Sequence, residues 1–306
     1  MCHNYIRYIA QDDYSNILST VDKDIEKILY NTFKTSGWII QKPPYGLSKE
    51  TYVAQNGPKR VFIKFEVNIP PLKRVSDLGL APCLLSSGTY HNRTYVIQQF
   101  VKGIIPTRKW INNNLKKLAE LIKSYHSDKE LFYILKNNSK LDYKNNVNDS
   151  LKFVEKQLEE VKQIIITNKN IENGIKKLMN ESKNLRPVPL TVIHTDPNYK
   201  NMLLVGNRLY ILDWDDVRIS DPVRDIAPLL WWYIDKNKWP MFFNYLGIEM
   251  IDSLMNRFYW WMARQSLTIA IFFAKKNDVK KVNKYLVDFA AALNHSDNPR
   301  LPTSDI

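Results

Sequence analysis

The sequence predicts an α+β protein, with a small strand-rich N-terminal part and a larger, mainly helical C-terminal part. Three observations predict it. Short β-rich runs broken by turn signals fill residues 1–101. Helical periodicity dominates after Lys102-Gly103. A single strand-like ribbon, at 190–213, interrupts the helical part. The 306 residues allow two domains or two lobes at about 150 residues each, and the composition shift divides them as 1–101 and 102–306.

Each element has its own signal. Ile17, Leu18, Val21, Ile25, Ile28, Leu29 and Phe33 recur at helical spacing. Trp38-Ile39-Ile40 reads as a strand and residues 42–48 as a turn. Residues 51–54 and 60–67 flank Asn56-Gly57, a hairpin signal. A second hairpin turns at His91-Asn92 between 84–87 and 93–100. In the second part, Leu115, Leu118, Leu121 and Ile122 mark a helix ending near His126. Leu151, Val154, Leu158, Val161, Ile164 and Ile165 mark one long amphipathic helix. The polar tracts 137–149 and 166–187 read as loops, and the pattern from Ile226 onward is helical and aromatic.

Composition excludes several classes. Apolar residues at 44% and charged residues at 25% are those of a globular chain. Cys2 and Cys83 cannot build a disulfide framework or a four-cysteine zinc site. Free thiols and an N-terminus without a signal-peptide pattern lead to the expectation of a cytoplasmic protein, monomer or dimer. The most apolar stretch, Phe258 to Ala274, is interrupted by Arg264 and Gln265, so it reads as a buried helix and no membrane partner is expected. A net charge of +13 favours an anionic ligand. Nucleic acid is not the expected one, because Lys275-Lys276 and Lys280-Lys281 are spaced as a solvated helix face.

The ribbon carries the chemistry. Two apolar runs flank Gly206-Asn207, and a two-residue turn sets Val205 opposite Arg208 and Leu203 opposite Tyr210. The same register sets Asn201 opposite Leu212, next to Asp213, while Asp196 enters this end through the preceding loop. Such hard oxygen donors suit Mg²⁺, which takes one or two protein carboxylates and leaves its other positions to water and phosphate. A further carboxylate that orients a hydroxyl nucleophile completes the needs of phosphoryl transfer.

His194-x-Asp196 followed by Asn201, the hairpin, Asp213-Trp214-Asp215 and the segment Asp221-Pro222-Val223-Arg224-Asp225-Ile226-Ala227 together resemble the aminoglycoside phosphotransferase and choline kinase-like family. The resemblance implies a bilobal protein kinase-like fold and a Mg²⁺-dependent kinase that uses ATP or GTP on a small hydroxylated acceptor. It implies Asp196 as catalytic base, Asn201 and Asp213 as metal ligands, and His194, Asp225 and His126 as structural supports.

The N-terminal part offers the matching nucleotide site. Val61-Phe62-Ile63-Lys64-Phe65 is similar to the family's phosphate-binding strand, which makes Lys64 the phosphate lysine. Gly46 and Ser48 sit where the family places its phosphate-covering loop, and Gln99 to Val101 where it places the hinge that meets the base. One departure stands out. The family pairs this lysine with a glutamate on the helix before Gly79-Leu80-Ala81-Pro82, and that helix, starting near Pro70-Pro71, contains Asp77 but no glutamate. Glu66 is the available substitute, and the partner stays unassigned.

For the acceptor pocket the resemblance points to Asp215, Asp216 and Trp232. Helix-cap duty for the two acids and core packing for the tryptophan are the plain alternatives. The expected acceptor is an aminoglycoside or similar antibiotic. A metabolite such as choline, thiamine, a sugar or homoserine is the alternative, as is a catalytically silent kinase-fold binding protein.

Overall fold

A computed structural model describes residues 20–43, 50–137 and 147–299. They form two compact units, 2–106 with 200–215 and 107–199 with 216–306. The ribbon at 200–215 therefore belongs to the first unit, whereas the sequence reading kept it within 102–306.

The first unit is built on five antiparallel strands: β1 (Ile39–Gln41), β2 (Thr51–Asn56), β3 (Lys59–Phe65), β4 (Leu84–Tyr90) and β5 (Arg93–Gln99). They lie in the order β1-β2-β3-β5-β4. Both predicted hairpins form, with Asn56 paired to Lys59 and Tyr90 to Arg93. His91 and Asn92 both take positive φ, 48° and 60°, as a two-residue turn between twisted strands requires. Helix α1 (Thr20–Phe33) lays Ile25, Ile28 and Leu29 on Trp38, Tyr52, Val61, Ile63 and Ile97, which closes the core. Helix α2 (Ile69–Asp77) begins with two prolines in its first turn, where their missing N–H groups cost nothing.

The ribbon in this unit consists of β7 (Met202–Val205) and β8 (Arg208–Ile211). Its register is the predicted one, Leu203 opposite Tyr210 and Val205 opposite Arg208. Two contacts fix it to the unit. Ile104 and Leu204 exchange both backbone hydrogen bonds, at 3.0 and 2.8 Å, and Ile211 N donates to Leu80 O at 2.8 Å. Gly103 permits this approach, because a Cβ there would lie 2.7 Å from the Leu204 carbonyl oxygen.

The second unit is mainly helical: α3 (Arg108–Asn113), α4 (Leu115–His126), α5 (Lys129–Asn137), α6 (Val147–Glu159), α7 (Lys162–Ile165), α8 (Lys169–Glu181), α9 (Val223–Tyr233), α10 (Trp239–Leu246), α11 (Asp252–Ala274) and α12 (Val279–Leu293). Strands β6 (Thr191–Ile193) and β9 (Arg218–Ser220) pair with each other, so β6 is not part of the ribbon that follows it. Trp231, Phe242, Phe243, Phe258, Trp260 and Trp261 fill the core, which makes the aromatic run after Ile226 structural first. Helix α11 is buried from Arg257 to Ile271. No helix among the described residues is long and apolar enough to cross a membrane.

Two helical expectations change. The single helix over 151–165 is two, α6 and α7, separated at Glu160-Val161. The supposed loop at 166–187 contains α8, whose Asn168 side chain caps the helix by accepting from Ile171 N. Ile175 and Leu178 supply its buried stripe, and Gly174 lets it approach the Phe289 ring of α12. Packing, not propensity, makes this Asn- and Lys-rich segment helical.

Gly103→Ala should destabilise the protein by about 1–3 kcal/mol, through backbone displacement against β7. Urea unfolding checks this, and an unchanged midpoint would show that the ribbon is not held there.

Candidate active site

In the second unit, β6 delivers the chain to His194-Thr195-Asp196, and Asp225 in the first turn of α9 holds that loop. Its Oδ2 accepts from His194 N at 2.7 Å and from the Tyr125 hydroxyl at 2.9 Å, with His126 Nε2 at 3.3 Å. Its Oδ1 accepts from Thr195 N at 2.7 Å. Burial disfavours the Asp225 carboxylate most, but the His126 and His194 interactions together outweigh it and hold its pKa below the ordinary value. Burial, and then the same carboxylate, pushes Tyr125 well above the usual phenol range.

Thr195 takes φ +77°, a left-handed conformation rare for a β-branched residue. The turn leads directly to Asp196, whose Oδ1 accepts from Asn198 Nδ2 at 2.8 Å. Asn198 was not singled out in the sequence; its position two residues after the aspartate, the spacing of an Asx-type contact, is the signal it carried. Behind the loop, Asp221 accepts from Val223 N at 3.0 Å, Trp261 Nε1 at 2.8 Å and the Arg257 guanidinium, which anchors the start of α9.

In the first unit, Lys64 on β3 lies between two carboxylates, Asp213 at 3.2 Å and Asp215 at 2.6 Å. Burial disfavours the ammonium most, but the two acids outweigh it and raise its pKa above the ordinary value. These acids are the lysine's partners. Asp77 pairs instead with Lys73 at an exposed position, and Glu66 faces Arg93 Nε at 3.6 Å. The sequence signal was the Asp-x-Asp spacing after the ribbon, which turns both acids toward one cation. Asp213 itself has φ +64°. Leu212 N donates to Asn201 O at 2.7 Å, so the register carries the buried Asn201 to the start of the Asp213 turn.

These groups line one pocket of the first unit. Phe62, Leu72, Ala81, Leu212 and Trp214 form apolar walls, and Lys64, Asp213 and Asp215 form a charged end. Gln99 lines it too, and Val101 packs beside it on Leu203 and Leu212. The backbone N–H groups of Gln99 and Phe100 are engaged by Cys83 O and Arg60 O.

The other sequence-selected residues have different surroundings. Asp216 pairs with Arg218 at 3.4 Å. Trp232 donates to Asp288 at 2.9 Å and meets Tyr285 edge to face. Gly46 and Ser48 lie outside the described residues.

Residues 73–249 match the phosphotransferase enzyme family. Among solved structures, a choline kinase from Streptococcus pneumoniae is similar over 89% of this chain and 100% of its own, with a TM-score of 0.65 at 16% identity. A choline kinase from Cryptosporidium parvum gives 0.66 at 12% identity over 89% and 95%. A spectinomycin phosphotransferase in complex with ADP and spectinomycin gives 0.65 at 14% identity over 89% and 98%. At such identities the likeness establishes the protein kinase-like fold.

Asp225→Asn should destabilise the protein by about 3–5 kcal/mol near neutral pH, because it uncouples a buried, paired charge. The folded-state pKa of Asp225 is depressed, so its contribution is complete above about pH 4 and is lost as pH falls through the folded-state value. Urea unfolding of both proteins across that range should show the gap closing toward acid. A gap of constant size would remove the carboxylate's charge from the account.

Proposed function

The chain belongs to the phosphotransferase enzyme family, and we propose that within it the protein moves the γ-phosphate of ATP or GTP to a hydroxyl group of a small molecule. One observation carries this reading: a half-buried lysine between two carboxylates at the charged end of an apolar-walled pocket. The walls suit a nucleobase and the lysine suits phosphate.

Among the described residues no cluster of three or more His, Cys, Asp and Glu could hold a metal ion. A divalent ion would therefore need oxygens from a bound triphosphate and water, as Mg²⁺ ordinarily accepts. The Asn201 amide oxygen and the Asp213 carboxylate are hard donors at the end of one ribbon, which fits that ion. They would hold it, and when bound it supplies neutralisation of the β- and γ-phosphate charge.

The remaining roles belong to side chains and backbone. Lys64, released in part from Asp213 and Asp215, pairs with the α- and β-phosphates. With the Gln99 N–H engaged, the Gln99 carbonyl and the Val101 N–H are the hinge groups assigned to the base. Asp196, its Oδ1 fixed by Asn198, orients the acceptor hydroxyl and takes its proton as the oxygen attacks the γ-phosphorus. The nucleoside diphosphate leaves. An aminoglycoside or related antibiotic is the acceptor this reading favours, supported by the spectinomycin phosphotransferase among similar structures. The choline kinases support an amino alcohol as the next class to try.

Nucleotide consumption with Mg²⁺, ATP or GTP and a panel of aminoglycosides and amino alcohols tests the reaction; no acceptor-dependent turnover would overturn it. Asp196→Asn should lower turnover by about 10²–10⁴-fold while nucleotide binding persists. Asp213→Asn should weaken Mg²⁺-dependent nucleotide binding by about 10-fold or more, measured by calorimetry. Retained turnover in the first variant, or retained affinity in the second, would remove that residue from its role.

A further inference from the structure

The second unit buries two guanidinium groups for which the described residues provide no carboxylate partner. Arg224, in the first turn of α9, is 7% exposed, and Arg264, in the middle of α11, is 2% exposed. Arg224 stands 5.6 Å from the Trp261 ring, and Trp261 precedes Arg264 by three residues, one helical turn. Among the described residues the hydrogen bonds of the Arg264 side chain are long ones, to Gln265 Oε1 at 3.4 Å and to Ser150 O at 3.5 Å. The Nε atoms of both arginines have no hydrogen-bond partner among the described residues. A third guanidinium, Arg218 on β9, is partly exposed and adds its charge to the same region.

The groups around these arginines are orphaned as well. Arg218 and Ser220 point to one face of β9, where they oppose Ile193 and Thr191 of β6. Among the described residues the hydroxyls of Thr191, Ser220 and Ser150 have no partner. The nearby acids are already engaged. Asp225 is satisfied by His194, Thr195, Tyr125 and His126, and Asp216 lies on Arg218. Burial, and then the neighbouring arginine charge, lowers Arg264 to about 9 and Arg224 well below the ordinary value. A guanidinium keeps its proton at neutral pH, so both groups carry charge. Buried, uncompensated charge is among the costliest features a fold can hold, and an anion would relieve it.

We propose that Arg218, Arg224 and Arg264 form a site for a small oxyanion, a phosphate or carboxylate group, which the Ser150, Thr191 and Ser220 hydroxyls complete as donors. Arg218, the exposed member, is the way in. The site adjoins the strand that leads to Asp196, since Arg218 pairs with Ile193. It lies wholly within the second unit, and so it does not depend on the proposed kinase reaction.

The test is the melting temperature of the full chain in potassium phosphate against potassium chloride at matched ionic strength. The wild type should show a saturable rise of about 3 °C at phosphate ten times its Kd. Arg264→Met should lose that rise, and its Tm in chloride should equal or exceed that of the wild type, because an unpaired buried cation has gone. If Arg264→Met does not fold, Arg218→Met, at a partly exposed position, should reduce the rise. Lys64→Met should keep it, which separates this site from the nucleotide pocket. Lactate tested against propane-1,2-diol distinguishes the sources. A rise with phosphate alone assigns a free inorganic anion, and a rise with lactate but not the diol assigns the acidic group of an organic ligand. No rise beyond chloride in the wild type overturns the site. So does a rise retained in the arginine variants or lost in Lys64→Met.

Discussion

Asp225 lies fully buried in the first turn of α9, and its two oxygens collect the backbone N–H of His194 and of Thr195, the Tyr125 hydroxyl and the His126 ring. A carboxylate removed from water must be satisfied in this way or become protonated. The requirement acts in both directions: the loop before Asp196 is fixed because the acid needs its N–H groups, and α4 is drawn in because the acid needs a hydroxyl and an imidazole. Three elements distant in sequence meet at one charge. That charge holds the two backbone N–H groups that set the direction in which the chain leaves β6.

Two non-glycine residues near the candidate chemistry occupy left-handed backbone, Thr195 at +77° and Asp213 at +64°. Each costs of the order of 1–3 kcal/mol. Each is countered by charge: Thr195 through the hydrogen bond its N–H gives Asp225, and Asp213 through its ion pair with Lys64. Asp213 and Asp215 sit on either side of Trp214, whose indole donates to Ile211 O and so fixes the short helical turn that aims both acids at Lys64. A lysine held this way needs no acid from α2. In place of the expected helix glutamate, the lysine meets Asp213 and Asp215, just past the ribbon.

What the sequence made legible follows from the range of the signals. The ribbon register could be read because a two-residue turn leaves no freedom and a period of two fixes the faces. The motif acids could be read because their spacing is local. Three things could not. Helix α8 hides among asparagines and lysines, since its stripe is only Ile175 and Leu178 and its stability comes from packing on α12. The β6–β9 pair consists of three-residue strands separated by the whole ribbon, so no hairpin signal joins them. The choice of Asp215 by Lys64 is a contact across 151 positions, which no window along the chain can show.

The two basic clusters solve the same problem differently. Lys64 receives two carboxylates in direct contact and its pKa rises; Arg224 and Arg264 form no ion pair among the described residues and theirs fall. A folded chain with 31 acidic residues does not lack acids to place beside those arginines. The nearest ones, Asp225, Asp221 and Asp216, are instead committed to the loop, to Arg257 and to Arg218. Asp221 shows how readily the fold neutralises a guanidinium, since it takes Arg257 and Trp261 only a few residues before Arg224. That Arg224 and Arg264 carry charge with no ion pair among the described residues makes an external anion the physically sufficient counter-charge.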